Sequence, residues 1–173
     1  EVVKNGNPQL TLNTGVQNSL LNALTKGPNN RWGIDSLIDK STMRYPDKDG
    51  KILIPNYSFV RAHDSEVQGI IGKILTDHTS AESGNKFTKD QLKQALDYYY
   101  ADQDKTVKEY SHYNMASAYA ALLTNKNTIP RVYYGDMYKD NDSYMTSKTN
   151  EFDSIDALLK ARIKYVSGNQ EMG

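Results

Sequence analysis

The residues of this chain best suited to chemistry stand together in one stretch, Asn56-Tyr57-Ser58-Phe59-Val60-Arg61-Ala62-His63-Asp64-Ser65-Glu66-Val67-Gln68. Residues 57–62 are aromatic and β-branched, follow a proline turn, and predict a strand. From Val67 onward Ile70, Ile71, Ile74 and Leu75 recur at helical spacing. A strand therefore runs into a polar tip, His63-Asp64-Ser65, and then into a helix. Successive strand side chains point to opposite faces, so adjacent imidazole and carboxylate groups reach one site only where the strand ends. A structural role is open to the same residues: Asp64 as the cap of the helix that begins near Glu66, and His63 as a surface side chain.

The remaining chemistry-bearing residues are weaker candidates. Tyr133, Tyr134 and Asp136 fall at the end of a second predicted strand, where tyrosines suit barrel packing and Asp136 suits a turn or the support of a neighbour. Tyr98-Tyr99-Tyr100 lies on a helix, so its members point different ways. His78 and His112 stand isolated in sequence and are expected at the surface. Asp140-Asn141-Asp142 has oxygens that suit calcium, but lacks the glycine and terminal glutamate of an EF-hand loop.

Composition narrows the classes. The chain has 173 residues, enough for one domain with a sizeable core. Lys and Arg number 21, as do Asp and Glu, so the net charge is zero and a strongly basic nucleic-acid binder is not expected. No run approaches the roughly 20 apolar residues of a membrane span. The absence of cysteine removes disulfides, thiolate catalysis and cysteine-ligated zinc. Tyrosine is over-used, at 13 against 3 Phe and 1 Trp. A tyrosine joins a stacking face to a hydroxyl, which suits carbohydrate contacts, although half-buried packing accounts for most such residues.

The elements that must position the polar tip follow from periodicity and punctuation. A first helix is predicted from about Thr14 to Lys26, with Val16, Leu20, Leu21 and Leu24 on one face and Gly27-Pro28 as its stop. A short helix over 34–40 follows. Thr88 and Gln91 form a capping box for a helix reaching about Asp102, with Leu92, Leu96 and Tyr99 inward. Another helix spans about Asn114–Thr124. A second strand is predicted over 129–134, ending at Gly135-Asp136. A last helix runs from about Ser154 to Val166, its apolar period including Ile155, Leu158, Leu159 and Ile163, with Gly168 as terminator. Two strands, each leading into a helix, imply parallel pairing with right-handed crossovers. Both put polar residues at the C-terminal end, where the chemistry of a parallel barrel sits. Two strands close no barrel, so the fold class is α/β, a helix-rich part of a (β/α)8 TIM barrel. The chain is expected to be a piece of a longer protein, a partial catalytic domain over 1–173.

Phe59-Val60-Arg61-Ala62-His63-Asp64-Ser65-Glu66-Val67-Gln68 resembles a motif of the family 70 glucansucrases. Two further blocks are similar to the same family: Tyr119 to Lys126 with Ile129-Pro130-Arg131-Val132-Tyr133-Tyr134-Gly135-Asp136-Met137-Tyr138, and Leu158 to Gly168. More distantly the order resembles the α-amylase clan. That clan normally has Asn before His-Asp; here Ala62 stands there with Arg61 before it, which favours the sucrases.

The resemblance implies a segment of a circularly permuted barrel in an enzyme that cleaves sucrose. Such an enzyme holds the glucosyl unit covalently and passes it to a growing α-glucan with retained configuration. Retaining chemistry needs a carboxylate nucleophile and a carboxylic acid/base. By family order both precede Glu1, and the isolated chain is expected to be inactive. Asp64 matches the third carboxylate, the transition-state stabiliser, whose hydrogen bonds to the ring hydroxyls strengthen as the sugar flattens. His63, Gln68 and Arg61 are implied in substrate binding, and Ser65, Glu66 and Val67 on the acceptor side. The segment from Asn13 to Gln17 also maps to the acceptor side, with Asn13 where the family pattern has an acidic residue. The Ser-Glu-Val version resembles that of α-1,6-glucan-forming enzymes, and mutan-forming relatives share it. The segment itself is expected to hold no cofactor or metal; calcium is implied for the parent, with ligands outside this chain. The implied partners are sucrose and α-glucan acceptors, with no nucleic acid and no membrane span, for a monomeric parent that is secreted or associated with the cell wall. The alternatives are an α-amylase-clan hydrolase or amylosucrase-like enzyme, and a non-catalytic α-glucan-binding or structural module.

Overall fold

The computed structural model describes residues 14–39, 57–62, 67–126, 128–140 and 143–168. Its elements are α1 (Thr14–Leu20), α2 (Ser36–Asp39), β1 (Tyr57–Phe59), α3 (Gln68–His78), α4 (Lys89–Gln103), α5 (Met115–Leu123), β2 (Ile129–Arg131), α6 (Tyr134–Met137) and α7 (Phe152–Tyr165). They fall into two compact units. One gathers α1, α2, β1, α5, β2 and most of α7; the other comprises Arg61–Tyr113 and Tyr133–Asp153.

In the first unit β1 and β2 pair in parallel, Tyr57 opposite Ile129, Ser58 opposite Pro130 and Phe59 opposite Arg131. This is the pairing expected from two strands that each lead into a helix. Both strands are shorter than expected. Pro130 has no N–H for the ladder, which limits how far pairing can run at β2. The second strand does not continue to Tyr134; Tyr133 is instead extended and precedes α6, and the Asp136 N–H bonds the Tyr133 carbonyl at 3.1 Å. Gly135 and Asp136 thus lie on a helix, and an acid in its first turn suits the positive end of the backbone dipoles.

Val16, Leu20 and Leu21 are buried as the period requires. The helix does not stay α throughout: Leu21–Thr25 widens into a π turn. The Thr25 hydroxyl donates to the Leu21 carbonyl at 2.9 Å, the back-bond by which threonine competes for a helical acceptor. Lys26 is extended and Gly27-Pro28 follows, as expected of the stop.

Helix α5 buries Met115, Ala118, Tyr119, Leu122 and Leu123. Its C-terminal carbonyls have no partners of their own along the helix. Arg162 of α7 supplies the last of them and holds the loop that follows: Nη1 donates to the carbonyls of Leu123 and Asn125, both at 2.8 Å, and Nη2 to that of Thr128 at 2.8 Å. Arg162 stands in the row of Ile155, Leu158 and Leu159, yet its guanidinium caps a neighbouring helix. The same row overstates Ile163, which is 88% exposed, whereas Ile155 is fully buried. Gly168 has φ +72°, the left-handed geometry that ends a helix at low steric cost.

In the second unit α3 lies against α4. Ile71, Ile74 and Leu75 meet Ala95 and Tyr99, while Leu92 and Leu96, expected inward, are half-buried at the margin. The small Ala95 takes the central place that the periodic reading assigned to leucines. The loop before α4 folds back onto α3: a Cβ on Gly84 would lie 2.9 Å from the Gly72 carbonyl oxygen. Helix α4 opens with the expected capping box. The Gln91 N–H donates to the Thr88 hydroxyl at 3.2 Å, and the Thr88 N–H donates to the Gln91 side-chain oxygen at 2.8 Å. Thr88→Ala is expected to cost about 1 kcal/mol, seen as a lower denaturation midpoint, whereas Thr88→Ser should retain most of the stability.

Candidate active site

The polar tip is bracketed by described residues on both sides. His63, Asp64, Ser65 and Glu66 themselves lie outside the described residues, as does Asn13, while Gln17 is buried in α1. Arg61 and Ala62 lead into the tip, and Val67 with Gln68, the first residue of α3, leads out of it.

Arg61 is 3% exposed. Its Nη2 forms an ion pair with the Asp136 carboxylate, and its Nη1 donates to the Tyr99 hydroxyl at 2.7 Å. The side chain implied in substrate binding is therefore engaged inside the fold, between α6 and α4. Burial alone would lower the Arg61 pKa; the Asp136 carboxylate and the Tyr99 hydroxyl outweigh it and raise the value above the ordinary guanidinium range. Asp136 is 2% exposed, and is neither a turn residue nor solvated. Its backbone is anchored as well: the Thr149 hydroxyl donates to the Asp136 carbonyl at 2.5 Å, and the Thr149 N–H to the Met137 carbonyl at 2.9 Å.

Beside this cluster opens a cleft of about 410 Å³. Val67 and Gln68 line it from the start of α3, with Tyr99, Tyr100 and Tyr133 on other sides. Gln68 is exposed and Val67 half-buried, so both are placed to meet a ligand there. The lining mixes apolar rings with hydroxyl and amide groups, the combination by which a pyranose is held on its face and by its edge. Burial pushes the Tyr100 hydroxyl up to about 12 and raises that of Tyr133, where Asp136 adds to the effect, so both stay protonated donors at neutral pH.

The other candidates resolve differently. Tyr134 does not pack inside; it stacks on Tyr138 and Tyr144, each ring centroid at 5.5 Å. His78 is not isolated. It stacks on Tyr98 at 4.0 Å, and its Nε2 lies 3.0 Å from the Tyr110 hydroxyl. Tyr98, Tyr99 and Tyr100 do point different ways, with Tyr99 alone buried. Among the described residues no three His, Asp or Glu side chains gather to hold a metal. No described helix is long and apolar enough to cross a membrane.

Sequence reasoning missed the Arg61–Asp136–Tyr99 cluster. The one available signal was local: an arginine and an aspartate in two apolar strand-like runs, where a lone charge would be costly to bury. It also missed Asp102. That fully buried carboxylate of α4 accepts from the N–H groups of Glu109, Tyr110 and Ser111 at 2.8–3.0 Å and from the Ser111 hydroxyl at 2.8 Å.

The sequence model of glycosyl hydrolase family 70 matches residues 2–173. Glucosyltransferase-I of Streptococcus mutans serotype c is 44% identical over 169 residues, 96% of this chain and 11% of that protein. Glucosyltransferase-I of Streptococcus downei is 46% identical over 156 residues, 89% of this chain and 10% of the relative. Among solved structures, alternansucrase in complex with isomaltononaose superposes with a TM-score of 0.82 at 44% identity, over 96% of this chain and 15% of that one. A truncated alternansucrase from Leuconostoc mesenteroides superposes with a TM-score of 0.77 at 43% identity, over 96% of this chain and 16% of that one. The chain thus spans about a tenth of the length of the curated relatives it matches. The helix-rich α/β fold with its parallel pair is a barrel segment of the kind expected from the strand–helix order. A match that runs from residue 2 to residue 173 and includes the strand-exit motif leaves one assignment: the chain belongs to glycosyl hydrolase family 70.

Proposed function

We propose that the chain is the part of a sucrose-dependent glucosyltransferase that supplies the transition-state stabiliser and one wall of the glucosyl and acceptor sites. The observation that carries this reading is the motif Phe59–Gln68 at the exit of a parallel strand, within a chain matched throughout by glucosyltransferases. In this account two carboxylates elsewhere in the polypeptide cleave sucrose, one as nucleophile and one as acid then base. Positive charge develops on the glucosyl ring as fructose departs. The Asp64 carboxylate, accepting from ring hydroxyls, is worth more to that charged state than to sucrose, which is the condition for acceleration. His63 holds the same glucosyl unit.

Val67 borders the side from which the acceptor arrives and Gln68 the side of the glucosyl unit, both at the 410 Å³ cleft. The acceptor is an α-glucan. The solved alternansucrase complexes with isomaltononaose and isomaltotriose support that choice. With Ser65-Glu66-Val67 they favour an α-1,6-rich, dextran-type product. The same reading carries an enzyme that acts outside the cell, free or wall-associated.

The test is product analysis with the full-length polypeptide. Supplied with sucrose, it is expected to release fructose in step with the growth of a glucan, with free glucose a minor product. Stoichiometric glucose, or action on starch with none on sucrose, would assign it to the hydrolases instead.

A further inference from the structure

We propose that an open groove along the outer face of α4 carries the far part of the acceptor, an α-glucan chain that reaches it from the cleft beside Val67; this rests on the reading of that cleft as the acceptor's. The groove holds about 790 Å³. Lys89, Lys93, Asp97, Tyr100 and Asp104 line it and recur at helical spacing, so one stripe of α4 and its C-cap forms a wall. From Lys89 to Asp104, at about 1.5 Å per residue, that wall is about 22 Å long, room for several glucosyl units. Lys139 and Asp140, which follow α6, line the groove from a second element. Groove and cleft adjoin: Leu92, Leu96, Tyr100 and Asp140 line both, and the cleft continues to Val67 and Gln68 at the start of α3. All of these residues belong to the second compact unit. Tyr100 stands at the junction. Its hydroxyl accepts from the Asp140 N–H at 2.6 Å, which ties the two elements together and leaves the hydroxyl hydrogen to donate to a ligand.

The lining selects the kind of polymer. Three lysines are interspersed with four aspartates along the groove. Charge so nearly balanced steers neither an anionic nor a cationic chain. A neutral chain of hydroxyls suits both signs, since each hydroxyl can donate to an aspartate or accept from a lysine. Lys93 and Asp97 are exposed, and their side chains make no hydrogen bond or ion pair among the described residues although they stand four apart on the helix. Their charged ends are therefore open to such hydroxyls. Half-buried Leu92 and Leu96, with the Tyr100 ring, add an apolar surface for the C–H face of a pyranose. A charged helix face is ordinarily no more than a solvated one. This one differs in the leucine strip beside it and in its opening into the cleft.

The test uses the full-length polypeptide under saturating sucrose and reads glucosyl transfer to isomaltose and to isomaltononaose. The disaccharide is short enough to stay within the cleft, whereas the nonasaccharide extends along α4. Wild type is expected to show an acceptor KM about tenfold lower for isomaltononaose than for isomaltose. Lys93→Ala combined with Asp97→Ala, two changes at exposed side chains, is expected to raise the KM for isomaltononaose about 5–20-fold and that for isomaltose less than about twofold. An equal rise for both acceptors, no rise for isomaltononaose, or a wild type that does not favour the longer acceptor would overturn the proposal. Failure of the glucosyltransferase reading looks different: wild type would then transfer glucosyl units to neither acceptor.

Discussion

Asp64→Asn in the full-length polypeptide is expected to lower kcat for sucrose about 10²–10³-fold while the protein stays folded. The substitution keeps the side chain's volume and one acceptor oxygen and removes the negative charge. Sucrose itself is neutral, so ground-state binding loses little and KM is expected to move less than kcat. The glucosyl cation is where the charge matters. It forms only in the transition state, in a site from which water has been displaced, so the lost attraction falls almost entirely on the chemical step. Fructose release under saturating sucrose measures this directly. A kcat within a fewfold of wild type would mean that Asp64 is not the stabiliser, whatever else the segment does.

The second large effect concerns stability. Asp102→Ala is expected to destabilise the helical unit by about 3–5 kcal/mol. The carboxylate sits in the last turn of α4, where the helix dipole disfavours a negative charge. It is kept there by donors: three successive backbone N–H groups of residues 109–111, the Ser111 hydroxyl, and Lys105 at 3.3 Å. Alanine leaves those N–H groups without their acceptor and releases the loop they hold. Burial by itself would raise the Asp102 pKa; the bonds from Glu109, Ser111 and Tyr110 outweigh it and hold the group well below the usual carboxylate range. A depressed native pKa contributes stability that is full above the unfolded value, about pH 4, and is lost as pH falls below it. The difference in denaturation midpoint between wild type and Asp102→Ala is therefore expected to be widest near neutrality and to narrow below about pH 4. Hydrogen exchange at the Tyr110 and Ser111 amides gives the local reading, with protection lost in the variant. Unchanged protection would contradict the role given to Asp102.

What the sequence made legible was what is local. The capping box at Thr88 and Gln91 lies within four residues, and its geometry follows from types and spacing alone. The periods of α3 and α5 were equally plain, because each buries one stripe. The strands were placed correctly and drawn too long, since strand length depends on the partner: Val60 is fully buried and apolar, yet the ladder ends at the pairing of Phe59 with Arg131. The π turn at Leu21–Thr25 leaves no mark in an apolar period. The pairing of Arg61 with Asp136 and Tyr99, and the role of Asp102, escaped notice because they depend on partners brought together by the fold. The His63-Asp64 pair was legible as chemistry only through the ten-residue motif around it; as an isolated dipeptide it is equally a helix cap and a surface imidazole.

The central claim is geometric, and a structure of the full-length polypeptide with its nucleophile disabled and sucrose bound tests it most directly. The account predicts an Asp64 carboxylate oxygen within about 3 Å of a glucosyl ring hydroxyl. An Asp64 side chain directed away from the glucosyl unit would contradict it.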